Sequence, residues 1–319
     1  MSHVGSVVIS VDAELGWGFH DLESPPETRL ESGRRGWRAL LEGFEEFDIP
    51  ATWAVVGHLM LSSCDGEHAD HPAPEGWFER ERTDWSDRED LRFCPDLVRA
   101  TLGSPVGHEL AGHSFSHVLF GDPDTTRELA RAELERSLEI ADDWGVCLES
   151  FVYPRNDVDH RDVLAETGFS AYRGRSPTAG GVREVFETTV SGESRLVEPI
   201  VDEYGLVNVP ASTFLFGFEG PVRTAVETVW EDPMVAVTRR GIDEAATNDG
   251  IFHLWVHPNN FVTERDDRRL RAVLAHIDRR REETDLRVET MGEVARRVRS
   301  NPPEPSSQTV SEDRYVGMN

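Results

Sequence analysis

The sequence predicts an α/β protein built around a mainly parallel sheet. Short β-branched runs recur along the chain, amphipathic helical stretches stand between them, and this alternation fills most of the 319 residues. Repeated βα units of that extent favour one parallel α/β domain, either barrel-like or doubly wound.

The elements follow in order. Val4–Val11 reads as a buried strand, and Trp37, Leu40, Leu41, Phe44 and Phe47 then recur at helical spacing. Ala51–Val56 is a second strand. From about 58 to 95 the pattern lapses into His, Asp, Glu, Pro and Arg, as expected of an insertion or loop beside a site. A short helix near Asp96–Leu102 leads to a third strand around Val106–Leu110. A long helix spans about Thr125–Trp144, with strand Glu149–Tyr153, helix Val158–Glu166 and brief strand Phe169–Tyr172 behind it. Residues 173–205 show little pattern. Ile251–Val256 is a strong strand, followed by a helix carrying Leu270, Val273, Leu274 and Ile277, and a last helix holding Met291, Val294, Ala295 and Val298. The expected organisation is one catalytic domain over 1–299, with a disordered polar tail over 300–319.

Composition narrows the partners. The chain has 33 basic residues, every one an arginine, against 60 acidic ones, for a net charge of -27. Such a field repels nucleic-acid phosphates and anionic lipid, so neither is an expected partner. A lysine-free acidic surface is what a protein soluble in high salt would carry, and a halophilic setting is the expectation. Cys64, Cys94 and Cys147 form no CxxC and indicate neither a disulfide framework nor a cysteine zinc site. Met1–Val11 lacks a charged leader and long apolar core, and no apolar run approaches the ~20 residues of a membrane span. A cytoplasmic protein with no integral membrane segment is expected. The oligomeric state is not readable.

Four strand ends carry residues suited to one metal site, and active sites of α/β barrels gather at the C-terminal ends of strands. Asp12 and Glu14 lie two apart and project from one face if the strand continues. Gly112-His113-Ser114-Phe115-Ser116-His117 follows the third strand; on a helical turn His113 and His117 would be neighbours able to share an ion. A lone HxxxH is more often two surface or core histidines, so its place after a strand matters more than its spacing. Ser114 lacks the second glycine of a nucleophile elbow. Phe151–Asn156 ends a strand in Pro154 and Arg155, and Arg155 could pair with a carboxylate. His253 and His257 share a strand face; His257, before Pro258, suits general-acid work, while His253 reads as a satisfied core residue.

Taken together, from about Val7 to Val256, these motifs resemble the NodB-homology, or polysaccharide-deacetylase, family (carbohydrate esterase family 4 in kind). Ser10–Glu14 stands where that family has its aspartate motif, and Ala51–Gly57 is similar to its second strand. The most specific match is Gly107-His108-Glu109-Leu110 followed by His113–His117. Phe151–Asn156 resembles the arginine motif and Leu254–Pro258 the late histidine motif. The resemblance implies a distorted (β/α) barrel binding one divalent ion, commonly zinc, with His113 and His117 as ligands. Where the commoner pattern has adjacent aspartates, Ala13 follows Asp12, and the chain looks like the branch with Asp-x-Glu spacing. Asp12 is therefore the expected base and Glu14 the third ligand, with exchange of these roles open. Arg155 stands four residues after Phe151 rather than directly after the aromatic. The implied reaction is metal-assisted removal of an acetyl group from an N-acetylated sugar or glycan, with His257 as the acid.

Two other readings stay open: a C–N hydrolase of the same fold on a non-sugar amide, and an inactive glycan-binding homologue. Trp17, Trp85, Phe93 and Trp255 are candidate sugar-platform residues, with core packing equally expected. His68 and His71 could add a ligand, although a solvated loop is the expectation.

Overall fold

A computed structural model of the chain describes residues 5–79, 87–174, 195–217 and 232–300. Its strands are β1 (Ser6–Ala13), β2 (Thr52–Val55), β3 (Glu109–Gly112), β4 (Ser150–Val152), β5 (Ala171–Arg173), β6 (Ile200–Val201), β7 (Val207–Asn208), β8 (Thr213–Phe214), β9 (Ile251–Val256) and β10 (Arg287–Glu289). The helices are α1 (Glu27–Phe47), α2 (Glu89–Arg92), α3 (Pro95–Leu102), α4 (Arg127–Asp143), α5 (Arg161–Glu166), α6 (Pro233–Ala245), α7 (Glu264–Glu283) and α8 (Met291–Ser300).

The strands form one sheet in the order β6-β7-β5-β4-β3-β2-β1-β9-β8, with β10 beside the start of β1. Among the described strands β6 runs antiparallel to β7 and the other pairings are parallel. β1 is buried along its whole length, and its side chains divide by parity. Val7, Ile9, Val11 and Ala13 join a large outer apolar cluster, whereas Val8 belongs to a separate inner one. Successive strand side chains point to opposite faces, so one face of β1 packs on helices and the other lines the inside of a curled sheet.

The inner cluster is mostly valine and alanine: Val8, Ala54, Ala111, Val152, Ala171 and Val209 are among them. Small inward side chains let the sheet curl tightly. Residues 207–215 carry the chain between its two edges: the Val209 N–H donates to the Tyr172 carbonyl (2.9 Å) and the Ser212 N–H to the His253 carbonyl (2.8 Å). The result is a distorted (β/α) barrel. Its lower end is plugged by α8, whose Met291, Val294, Ala295 and Val298 complete the inner cluster. Two backbone N–H groups at the start of α8 find side-chain acceptors, Met291 on Thr52 Oγ1 (2.8 Å) and Gly292 on Glu109 Oε2 (2.9 Å).

Outside, α1 buries Trp37, Leu40, Leu41 and Phe44 and stops at Asp48, which takes a left-handed conformation (φ 49°). Gly36 lets α1 approach the turn after β9: a Cβ there would stand 1.9 Å from the Pro258 carbonyl oxygen. A capping box between Thr263 and Asp266 opens α7.

The principal elements lie where the sequence places them, with informative differences. β3 begins at Glu109 rather than Val106, so it ends directly before His113. β6, β7 and β8 have two residues each, too few to show a period, and exist through long-range pairing. α6 and β10 were not anticipated. The expected tail lies outside the described residues, apart from Ser300, which ends α8. Among the described residues no helix is long and apolar enough to cross a membrane.

Candidate active site

The inward face of β1 changes character along its length. Val8 is apolar, Ser10 polar and Asp12 acidic, and Glu14 follows just past the strand end. All are buried, the two acids at 3% and 7% exposure. Two carboxylates this sheltered need positive charge nearby, and the neighbouring strand ends supply it in two ways.

The first wall is Glu14 with His113 and His117. Glu14 Oε2 lies 3.3 Å from His113 Nε2 and 3.0 Å from His117 Nε2. The histidines do not sit on a helix, contrary to the helical-turn expectation. They occupy a loop in which Ser114 (φ 59°) and His117 (φ 63°) are left-handed, and these two residues fold the loop back on itself. Glu133 on α4 holds the loop: its carboxylate accepts from the Ser116 N–H (2.8 Å) and hydroxyl (2.6 Å). His113 Nδ1 donates to the Val152 carbonyl (2.7 Å), because a carbonyl only accepts. Its Nε2 is thereby turned toward Glu14, and in a neutral ring it presents a lone pair there that a shared cation would satisfy. Burial lowers the pKa of His117, which also favours a neutral, ligating imidazole. Burial pushes the Glu14 carboxyl up, but His257 and then the two imidazoles outweigh it and hold it well below the usual range. A carboxylate oxygen and two imidazole nitrogens fit a divalent ion with open positions.

The second wall is Asp12 with Arg173. The guanidinium grips both carboxylate oxygens, at 2.5 and 2.7 Å. Burial raises the Asp12 pKa, but the charge and hydrogen bonds of Arg173 overcome it, and the group stays below its ordinary value. Arg173 is itself fully buried. It donates to Asn156 Oδ1 (2.8 Å) and Ser10 Oγ (3.0 Å) and lies over the Trp255 ring, 4.7 Å from its centroid. Ser10 in turn donates to His253 Nε2 (2.9 Å), since His253 Nδ1 is committed to the Val209 and Pro210 carbonyls. His257 closes the site from β9. Its Nε2 is 3.5 Å from Glu14 Oε1 and 3.6 Å from Asp12 Oδ2, with the Phe214 and Trp255 rings edge-on beside it.

No protein-family model matches the sequence, and no curated protein matches it. Solved structures do resemble it. A putative polysaccharide deacetylase from Mycobacterium smegmatis superposes with a TM-score of 0.62 at 18% identity, covering 97% of this chain and 95% of that one. A probable polysaccharide deacetylase from Pseudomonas aeruginosa PAO1 gives 0.61 at 14% identity, over 94% and 92%. This is the polysaccharide-deacetylase fold. An allantoinase shares it, with a TM-score of 0.59 at 15% identity over 94% and 91%.

Within that deacetylase fold, Asp12, Glu14, His113, His117 and His257 come together at the barrel mouth. Arg155 does not join them. It does pair with a carboxylate, but that of Asp21 (2.7 Å), and also bonds the Gly18 carbonyl (3.4 Å) in a half-exposed position, while the arginine beside Asp12 is Arg173. The physical reason is direction: Arg155 sits on a turn with φ 52° that carries its side chain outward, while Arg173 ends a strand on the inward face. Sequence reasoning missed Arg173 because its strand is only three residues long. The available signal was an arginine ending a strand, as other site residues do. Among the platform candidates, Trp17 and Phe93 are buried, Trp85 lies outside the described residues, and Trp255 stands at the mouth.

Proposed function

We propose that the chain is a metal-dependent N-deacetylase that hydrolyses the acetamido group of an amino sugar in a glycan or glycan precursor. The observation that carries this reading is the pairing of a ligand trio, Glu14–His113–His117, with an arginine-held carboxylate and a histidine within 3.6 Å of it. Glu14, His113 and His117 are the residues that would hold the ion, with zinc expected. Bound there, a divalent ion would polarise the acetyl carbonyl and make a water acidic enough to react near neutral pH.

The chain's own groups account for the protons. Asp12, kept ionised by Arg173, takes the proton from the attacking water. Arg173 also fixes the carboxylate in one rotamer, so the base is aimed before substrate arrives. His257 delivers a proton to the departing sugar nitrogen, which is otherwise a poor leaving group. Trp255 and Phe214, stacked on each other at 4.2 Å, give the site an apolar wall next to that acid.

A second reading, hydrolysis of a non-sugar amide, is supported by the likeness to an allantoinase. Acetate release from a panel of N-acetylated sugars, measured with metal content, separates the two. We expect His113→Ala to lose both metal at this trio and turnover, and His257→Ala to keep the metal but lose about 10²–10⁴-fold in rate. Deacetylation that survives either change overturns the assignment.

A further inference from the structure

A second set of metal-competent side chains gathers where the insertion meets the barrel. His58, Cys64 and His68 each offer one donor atom, and the three atoms lie within 4.8 Å of one another. His58 stands on the turn Gly57–Met60, which follows β2, and is fully buried. Its ring is sandwiched between Trp17 and Phe115, at centroid distances of 4.2 and 3.9 Å. Its Nδ1 donates to the Phe115 carbonyl (2.9 Å), which leaves the ring's lone pair on Nε2. One imidazole nitrogen donating to a backbone carbonyl is the usual way a metal-bound histidine is oriented.

Cys64 and His68 approach from the insertion. Cys64 Sγ lies 3.4 Å from His68 Nε2 and accepts the Gly66 N–H at 3.4 Å. Tetrahedral zinc with Zn–S near 2.3 Å and Zn–N near 2.0 Å requires donor separations of about 3.3–3.6 Å, so the sulfur–nitrogen pair already fits. Cys64 and His68 are only half-buried, which leaves an entry path. A cavity of about 360 Å³, lined by His68, His71, Trp77 and Phe78 among others, adjoins the cluster and has room for a water as fourth ligand.

We infer that His58, Cys64 and His68 form a second, structural metal site for a zinc-like cation, separate from the carboxylate-containing trio. A thiolate with two imidazoles is a softer donor set than the one at the barrel mouth, so the two sites differ in chemistry as well as place. One ligand belongs to the barrel and two to the insertion, so a cation there staples an irregular segment onto the scaffold. Phe115 stands between His113 and His117, and its carbonyl orients His58. The staple therefore also braces the loop that carries the first pair of histidines.

Cobalt substitution of the full chain tests this without reference to activity. Two equivalents of cobalt should bind, with a thiolate-to-cobalt charge-transfer band in the near ultraviolet that the mouth site, lacking sulfur, has no means to produce. Cys64→Ser should lose that band and one equivalent of metal while keeping the wild-type far-ultraviolet circular dichroism. Cys147→Ser and His113→Ala should each keep the band. The His113 variant makes failure of this site distinguishable from failure of the deacetylase reading. A wild-type chain that takes up cobalt with no such band, or a band that persists in Cys64→Ser, overturns the inference.

Discussion

The two walls of the site solve the problem of a buried carboxylate in different ways. Glu14 faces two imidazoles whose orientation leaves room for a cation from outside, whereas Asp12 is neutralised by a cation the chain carries itself. The first wall is arranged to recruit its charge; the second is complete without a guest. A buried carboxylate in contact with a fixed guanidinium stays ionised and pre-aimed, which suits a base. One sharing its oxygen with two imidazoles suits a ligand. The difference supports Asp12 as base and Glu14 as ligand over the exchanged assignment.

Three changes sharpen or break that contrast. The largest effect is expected from Arg173→Met. Removing one partner of a buried pair costs about 3–5 kcal/mol of stability, and losing an aimed base should lower turnover by about 10²–10⁴-fold. Metal content should stay at the wild-type level, read by elemental analysis of folded protein. Loss of metal alongside turnover would mean the walls are not separable.

Gly18→Ala probes the other wall. A Cβ on Gly18 would stand 2.2 Å from the Glu14 carboxyl carbon and one of its oxygens, so the side chain must move. We expect metal affinity to fall about 10–100-fold, the range seen when support for a ligand is disturbed, with the Asp12–Arg173 pair intact. Competition with a chelator measures it; unchanged affinity would remove Glu14 from the ligand set.

The smallest effect concerns stability. His253 is buried with its pKa lowered to about 3 from 6.5, first by burial and then by Arg173. The unfolded chain therefore binds this proton between roughly pH 6.5 and pH 3 while the folded chain does not. Stability should fall on acidification through that window, by about 1.4 kcal/mol per pH unit for this one group. His253→Gln should flatten that slope by the same amount in denaturant titrations at pH 4–6. An unchanged slope would mean the imidazole is charged in the folded state, contrary to its acceptance of the Ser10 hydroxyl at Nε2.

Legibility follows the same divide. Asp12 and Glu14 are two residues apart, and His113 and His117 four; that spacing, their places at strand ends and the order of the motifs together single them out. Even there the geometry differed, since a loop with left-handed residues, not a helical turn, joins the histidines. Arg173 gave almost no sign, because a three-residue strand shows no periodicity and its partner is 161 positions away. The sequence marks His253 as a satisfied core histidine. It is one, and it also links Ser10 and Arg173 to the barrel wall.

The sequence by itself determined the α/β class, the main strands and helices, and the residues gathered at the mouth, because hydrophobic period and short motifs are local properties of a chain. Tertiary structure alone decided which arginine holds Asp12, how residues 207–215 close the barrel, and that Cys64, without a CxxC partner, meets two histidines. Those outcomes depend on where distant strand ends and turns aim their side chains. No spacing along the sequence encodes that until the sheet has curled.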